Sequence, residues 1–206
     1  MDFIQEYYLS NVGLCDKLIE WFNENRLNHD DGALFSSDGF RSVDKKRKSS
    51  KDFSFSLQDV ITNNLYNGAD LMKEYASELE VFLKDYIKCF GYANNVGPFA
   101  VKEGINIQHY KPNDGYKIFH FERCNEFTTY RHLFFITYLN TVEDGGGTEF
   151  FYQDRVCKSA KGKTIISPSD WTHAHRGVIS PTEEKYIMTG WLSILGRGDV
   201  LIPTSV

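Results

Sequence analysis

After Gly97-Pro98 the chain breaks into short runs rich in Ile, Phe, Tyr and Thr, and this texture constrains the fold more than any other feature. The runs are residues 104–110, 116–122, 131–140, 148–152, 155–157, 164–167, 173–179 and 185–194. Turn signals separate them: Pro112-Asn113-Asp114-Gly115, Gly145-Gly146-Gly147, Gly162 and Pro181. Short strands at that spacing predict a sandwich or jelly roll. Upstream the period changes. Residues 13–25 place Leu14, Leu18, Ile19 and Phe22 at helical spacing, with Asn11 as a candidate cap. From 65 to 92 a longer pattern sets Leu71, Met72, Tyr75, Leu79, Phe82, Leu83, Tyr86 and Ile87 on one face, opposite Lys73, Glu74, Glu78, Glu80, Lys84 and Asp85. A helix that long and that one-sided must lie against something flat. The expectation is an α+β fold in which N-terminal helices support one face of an eight-stranded β core.

At 206 residues the chain reads as one domain: helical support and a substrate loop over 1–97, the β core over 98–196 and a C-terminal tail over 197–206. Between Asp30 and Asp52 the pattern dissolves into Gly, Ser, Asp and the cationic cluster Lys45-Lys46-Arg47-Lys48. Such a run reads as a solvated loop, with a mobile lid over a site as the alternative. The net charge of −5 and the lack of a basic face argue against a nucleic-acid partner. No apolar run approaches the ~18–20 residues that cross a bilayer, so no membrane partner is expected. Cys15, Cys89, Cys124 and Cys157 form no C-x-x-C pair, and the first residues lack a secretory pattern. Reduced thiols and a cytoplasmic location are therefore expected ahead of a secreted two-disulfide protein. The sequence is silent on oligomeric state.

Two short patterns carry chemistry. His120-Phe121-Glu122 sets an imidazole and a carboxylate two residues apart, which on an extended chain sends both to one face. His173-Ala174-His175 does the same with two imidazoles. Two histidines and one carboxylate on one side of a metal form the facial triad of non-haem Fe(II), which leaves coordination positions open. His120 as a core histidine beside a surface Glu122 is the plainer reading, and alternation does not choose between His173 and His175. Lys185, ten positions after His175, enters an otherwise apolar and aromatic strand. It reads either as an edge lysine with its ammonium in water or as a cation at the floor of a pocket, paired with a diacid.

Several ordered pieces then resemble the prolyl 4-hydroxylase branch of the Fe(II)/2-oxoglutarate dioxygenases, over roughly Gly104 to Leu195. Tyr110-Lys111-Pro112 through Tyr116 to His120-Phe121-Glu122 resembles Y-x-P-G-x-x-Y-x-x-H-x-D, with one extra residue. Arg131 through Tyr138-Leu139-Asn140 to Glu143-Asp144-Gly145-Gly146-Gly147-Thr148-Glu149-Phe150 resembles R…YLN…EEGGET-x-F. Lys161-Gly162-Lys163 is similar to K-G-D, and His175-Arg176-Gly177 through Glu184-Lys185-Tyr186 to Trp191 to H-x-G…G-E-K-Y…W.

The resemblance implies a double-stranded β-helix with His120, Glu122 and His175 holding Fe(II). Lys185 would bind the 5-carboxylate of 2-oxoglutarate, with Tyr110 donating to the same cosubstrate. Tyr116, Arg131 and Trp191 match positions lining the substrate side. The family's His-to-Lys interval selects His175 over His173, which becomes a supporting or pocket residue. Arg47-Lys48-Ser49-Ser50 is loosely similar to an R-T-S segment near the family's substrate-covering loop, making Arg47 a substrate-binding candidate. The implied reaction consumes O2 and 2-oxoglutarate, releases succinate and CO2, and hydroxylates prolyl residues of a peptide or protein, with ascorbate as activator. Three departures stand out: Glu122 replaces the usual aspartate, Gly147 replaces the acid of G-G-E-T, and Glu183 replaces the glycine before E-K-Y. Two rivals remain: the same enzyme class acting on a free amino acid or other small substrate, and a jelly-roll binding module in which His120, Glu122, His173 and His175 close around a structural ion.

Overall fold

The computed structural model of the chain describes residues 2–35 and 39–199; residues 36–38 of the expected loop and 200–206 of the expected tail lie outside them. Both expected helices form. In α1 (Gly13–Glu24) Leu14, Cys15, Leu18, Trp21 and Phe22 recur at helical spacing and are buried as one stripe. A further short helix, α2 (Leu57–Asn63), is capped by the Ser56 hydroxyl, which accepts from the Asp59 amide. Helix α3 (Ala69–Cys89) buries Met72, Tyr75, Leu79, Phe82 and Tyr86. It starts later than residue 65 because Asn64, Tyr66 and Asn67 hold positive φ, which interrupts a right-handed helix.

The strands, in chain order, are β1 (Gln5–Tyr8), β2 (Asp30–Asp31), β3 (Leu34–Phe35), β4 (Arg41–Ser42), β5 (Lys48–Ser49), β6 (Lys51–Phe55), β7 (Phe99–Val101) and β8 (Ile105–Tyr110). Then come β9 (Gly115–Tyr116), β10 (Arg131–Tyr138), β11 (Thr148–Phe150), β12 (Arg155–Cys157), β13 (Lys163–Pro168), β14 (His175–Gly177) and β15 (Lys185–Ile194). One antiparallel sheet runs β1-β13-β10-β15-β8-β6-β2, with β7 beside the far end of β15. A second, β12-β11-β14, packs against its inner face through Phe150 and Cys157. The result is an α+β fold with the double-stranded β-helix core that the resemblance implies.

The order of helices first and strands afterwards does not hold. β1, β2 and β6 come from the N-terminal half and complete the large sheet, β6 pairing with β8 from Lys51↔His109 to Phe55↔Ile105. The alternation Asp52-Phe53-Ser54-Phe55 buries the two rings among the helices and turns the polar pair to the other face. Two expected strands also shorten. Of 116–122 only Tyr116 lies in a strand, and of 173–179 only 175–177 does, because Trp171–His173 form a 3-10 turn.

The departures at Gly147 and Glu183 have local explanations. A Cβ on Gly147 would stand 2.5 Å from the Cys157 carbonyl oxygen, so no side chain fits where β11 begins. Glu183 accepts from the Glu143 amide at 2.8 Å and the Asp144 amide at 3.3 Å, fastening the loop before β11.

Alternation along the large sheet divides its residues. Leu133, Phe135, Met188 and Leu192 meet α1 and α3 in one apolar cluster, while Phe134, Ile136, Tyr138 and Ile187 face the small sheet. The inner face is only partly filled. It leaves a cavity of about 490 Å³ that reaches from the small sheet past β8 to β6. Among the described residues no helix is long and apolar enough to cross a membrane, and all four cysteines are free thiols.

Candidate active site

A single backbone bridge builds the centre. The His120 amide donates to the His175 carbonyl at 3.0 Å and the His175 amide to the His120 carbonyl at 2.8 Å, setting two residues far apart in the chain side by side. Glu122 is held two positions on, its amide donating to the Ser169 carbonyl. One ligand atom from each of His120, Glu122 and His175 lies within 4.8 Å of the others, a set able to hold a metal ion.

The ring orientations follow from hydrogen bonding. Nδ1 of His120 contacts the Ile118 carbonyl at 3.1 Å and Nδ1 of His175 the His173 carbonyl at 3.0 Å. A carbonyl only accepts, so each Nδ1 carries the proton and each Nε2 presents its lone pair to the centre. The two Nε2 atoms lie 3.5 and 3.4 Å from Glu122 Oε1. Tyr116 stacks on His120 with centroids 3.6 Å apart, and Phe134 stacks on His175 at 4.5 Å. Burial alone would raise the Glu122 carboxyl, but a proton shared with the facing imidazoles outweighs it and holds it well below the usual carboxylate range, the place a divalent cation would take. Burial, with the neighbouring His175 adding to it, lowers His120. An ionised carboxylate and neutral imidazoles are the forms a divalent cation requires.

The other oxygen of Glu122 faces away from the histidines. Its Oε2 accepts from the Trp191 indole at 2.7 Å and lies 3.4 Å from an Arg131 nitrogen. The Arg131 guanidinium lies over the Trp191 ring, 3.6 Å from its centroid, and pairs with Glu103 at 2.5 Å. Arg131 and Trp191 line the cavity, and their polar atoms are spent on Glu122 and Glu103.

Lys185 opens β15 opposite Tyr110 in register, buried with its ammonium 4.8 Å from the Tyr110 ring centroid. It has no hydrogen-bond or ion-pair partner among the described residues. Burial pushes its ammonium down to about 8. The Tyr110 hydroxyl donates to Gln108 Oε1 at 2.6 Å, and burial holds it well above its ordinary range. The fit to a diacid is physical: a desolvated, unpaired cation in the cavity wall lowers the cost of burying a carboxylate there.

Two expectations meet a different arrangement. His173 does not share the face of His175, because the 3-10 turn rotates it away. Its Nδ1 lies 3.0 Å from the Thr172 hydroxyl, its Nε2 is buried without a partner, and its ring meets the edge of Phe3. The four-ligand arrangement therefore does not form. Arg47 is exposed and outside the cavity lining; its neighbour Lys48 is the buried residue, pairing with Asp52 at 2.7 Å. Lys48, Asp52 and Gln108 line the cavity without having been read as site residues, as do Glu103, Ser54 and Asn106. The signal for the first two was the four-residue interval joining the cationic run to an alternating strand.

A family model described as the 2OG-Fe(II) oxygenase superfamily matches residues 105–193. No curated protein matches the chain. Among solved structures, the viral collagen prolyl hydroxylase of Paramecium Bursaria Chlorella virus-1, in complex with 2-oxoglutarate, is 16% identical and superposes with a TM-score of 0.66 over 95% of this chain and 97% of its own. A Pseudomonas putida prolyl-4-hydroxylase is 13% identical, with a TM-score of 0.64 over 94% and 93%. A Trichoplax adhaerens prolyl hydroxylase bound to a peptide fragment of the hypoxia inducible factor oxygen degradation domain is 15% identical, with a TM-score of 0.70 over 92% and 83%. At these identities the likeness is one of fold. The matched segment runs from the start of β8 almost to the end of β15 and contains all three residues of the metal cluster; over this segment the chain is similar to the 2OG-Fe(II) oxygenase superfamily.

Proposed function

We propose that this Fe(II)- and 2-oxoglutarate-dependent oxygenase hydroxylates prolyl residues in a peptide or protein. The observation that carries the reading is an open three-residue metal cluster sharing one cavity with a buried ammonium that has no hydrogen-bond or ion-pair partner among the described residues. The fold shared with three prolyl hydroxylases, one of them bound to a peptide, supports the choice of substrate.

In this reading His120, Glu122 and His175 hold Fe(II), and Lys185 receives the distal carboxylate of 2-oxoglutarate. Fe(II) with its cosubstrate and O2 supplies the oxidising power that inserts one oxygen atom into a C–H bond, with succinate and CO2 released. The chain's own residues supply placement. The two Nδ1–H groups, anchored on backbone carbonyls, keep both imidazoles turned inward. Tyr116 and Phe134 pack the ring faces and limit rotation. Tyr110 shields the Lys185 ammonium from water, so its attraction for a carboxylate is less screened. Ascorbate belongs to the proposal as an activator that returns the metal to its reduced form.

The test is mass spectrometry of a peptide library incubated with the enzyme, Fe(II), ascorbate and 2-oxoglutarate. A gain of about 16 Da (one oxygen) on proline-containing peptides, with matching succinate, is expected. Succinate without any peptide modification, but with oxidation of a free amino acid, would replace the prolyl substrate with a small one. No succinate under any condition would remove the enzymatic reading.

A further inference from the structure

We propose that Trp191 and Arg131 are positioning residues that keep Glu122 a one-oxygen ligand. The inference deepens the metal-binding reading and rests on it. Glutamate reaches one methylene further than aspartate and has one more rotatable bond, so a glutamate in a metal shell can swing or bring both oxygens to the ion. In this site the second oxygen is already engaged. Glu122 Oε2 accepts the Trp191 indole N–H at 2.7 Å and faces Arg131 Nη1 at 3.4 Å, while Oε1 faces both imidazoles. The same Arg131 nitrogen donates to the Glu122 backbone carbonyl at 3.2 Å, so side chain and main chain are held by one group.

The clamp is itself held from behind. Glu103 takes Arg131 through Nε at 2.8 Å and Nη2 at 2.5 Å, and Ser193 donates to Glu103 at 2.7 Å. The guanidinium plane rests on the Trp191 ring at 3.6 Å, which restrains both donors. Trp191 and Ser193 project from one face of β15, and Arg131 leads β10 beside them, so the large sheet's register sets the position of the carboxylate. The extra length of Glu122 is thereby taken up by two donors beyond the centre, and a second carboxylate oxygen does not compete for the positions that a bidentate cosubstrate and O2 need.

Co(II) titration of the full chain, followed by its visible absorption and by calorimetry, tests this without turnover. Trp191→Phe keeps the ring and removes the N–H. It should alter the visible spectrum as the freed oxygen joins the shell and change Co(II) affinity by about 10-fold. Arg131→Gln, a second route to the same release, should change the spectrum in the same direction, with circular dichroism showing that each variant is folded. Trp171→Phe, an exposed tryptophan outside the cavity lining, serves as the control and should bind as wild type does. Wild-type affinity and spectrum in folded Trp191→Phe overturn the inference. A wild-type chain that binds no Co(II) overturns the metal reading itself and is told apart by failing before any variant is compared.

Discussion

The two faces of β15 carry opposite kinds of residue on one strand. Toward the helices it presents Met188 and Leu192, sealed in an apolar cluster with Tyr75, Phe135 and Ile166. Toward the cavity it presents Lys185, Thr189 and Trp191, of which Lys185 is buried with no ion-pair partner among the described residues and Trp191 is bonded to a carboxylate. The outer face stabilises the fold by removing apolar surface from water. The inner face gives some of that stability up, because a desolvated ammonium raises the energy of the folded state until a carboxylate meets it. Site residues of this kind are therefore expected to trade stability for binding, whereas core residues a side chain away affect stability alone.

The sharpest break is His175→Ala, which removes a ligand from the cluster. Iron retention and succinate production should both vanish, read by metal analysis and a succinate assay; turnover at the wild-type rate would dissolve the contrast between the faces. Met188→Ala, on the opposite face, should cost about 2–5 kcal/mol in a urea melt and leave the KM for 2-oxoglutarate unchanged. Lys185→Met should do the reverse. The requirement for 2-oxoglutarate should rise about 10- to 100-fold, while the free protein becomes more stable by about 1–3 kcal/mol. A destabilised Lys185→Met would show that the ammonium is not the strained group in the inner wall.

The smallest effect is in pH. With the Lys185 ammonium lowered to about 8 by burial, its charge in the free protein is lost as pH rises through that value. Affinity for 2-oxoglutarate should fall from pH 7 to pH 9, by at most about tenfold per unit above 8. Between 8 and the ordinary lysine range the unfolded chain holds a proton that the folded one lacks, so this group's contribution to stability rises with pH over the same window. Binding titrations and urea melts at matched pH separate the two trends.

The inner wall was legible where a residue type and a spacing coincide. Lys185 breaks an aromatic strand, and His120 and Glu122 stand two apart, so their convergence is readable before any fold is known. The pair His173 and His175 has the same spacing, and alternation treats the two alike; a 3-10 turn separates them, and nothing in three residues announces it. β1 and β6 were missed for a related reason. Gln5–Tyr8 has no period, and Lys51–Phe55 begins inside the 30–52 segment that reads as a solvated loop, while what orders them is the free edge of a partner strand. The second oxygen of Glu122 is beyond sequence altogether, since Trp191 and Arg131 reach it only through the register of β10 and β15.

The contribution of β6 bears on how the molecule can be cut. The segment that the family model matches begins at residue 105, yet Lys51–Phe55 pairs with its first strand and Gln5–Tyr8 with β13, and Asp52 and Lys48 line the cavity. A fragment trimmed to 105–193 would retain every metal ligand and still expose a raw strand margin to solvent and to other copies of itself. The cavity is thus spread over more polypeptide than the recognisable segment, and expression trials should keep the first hundred residues attached.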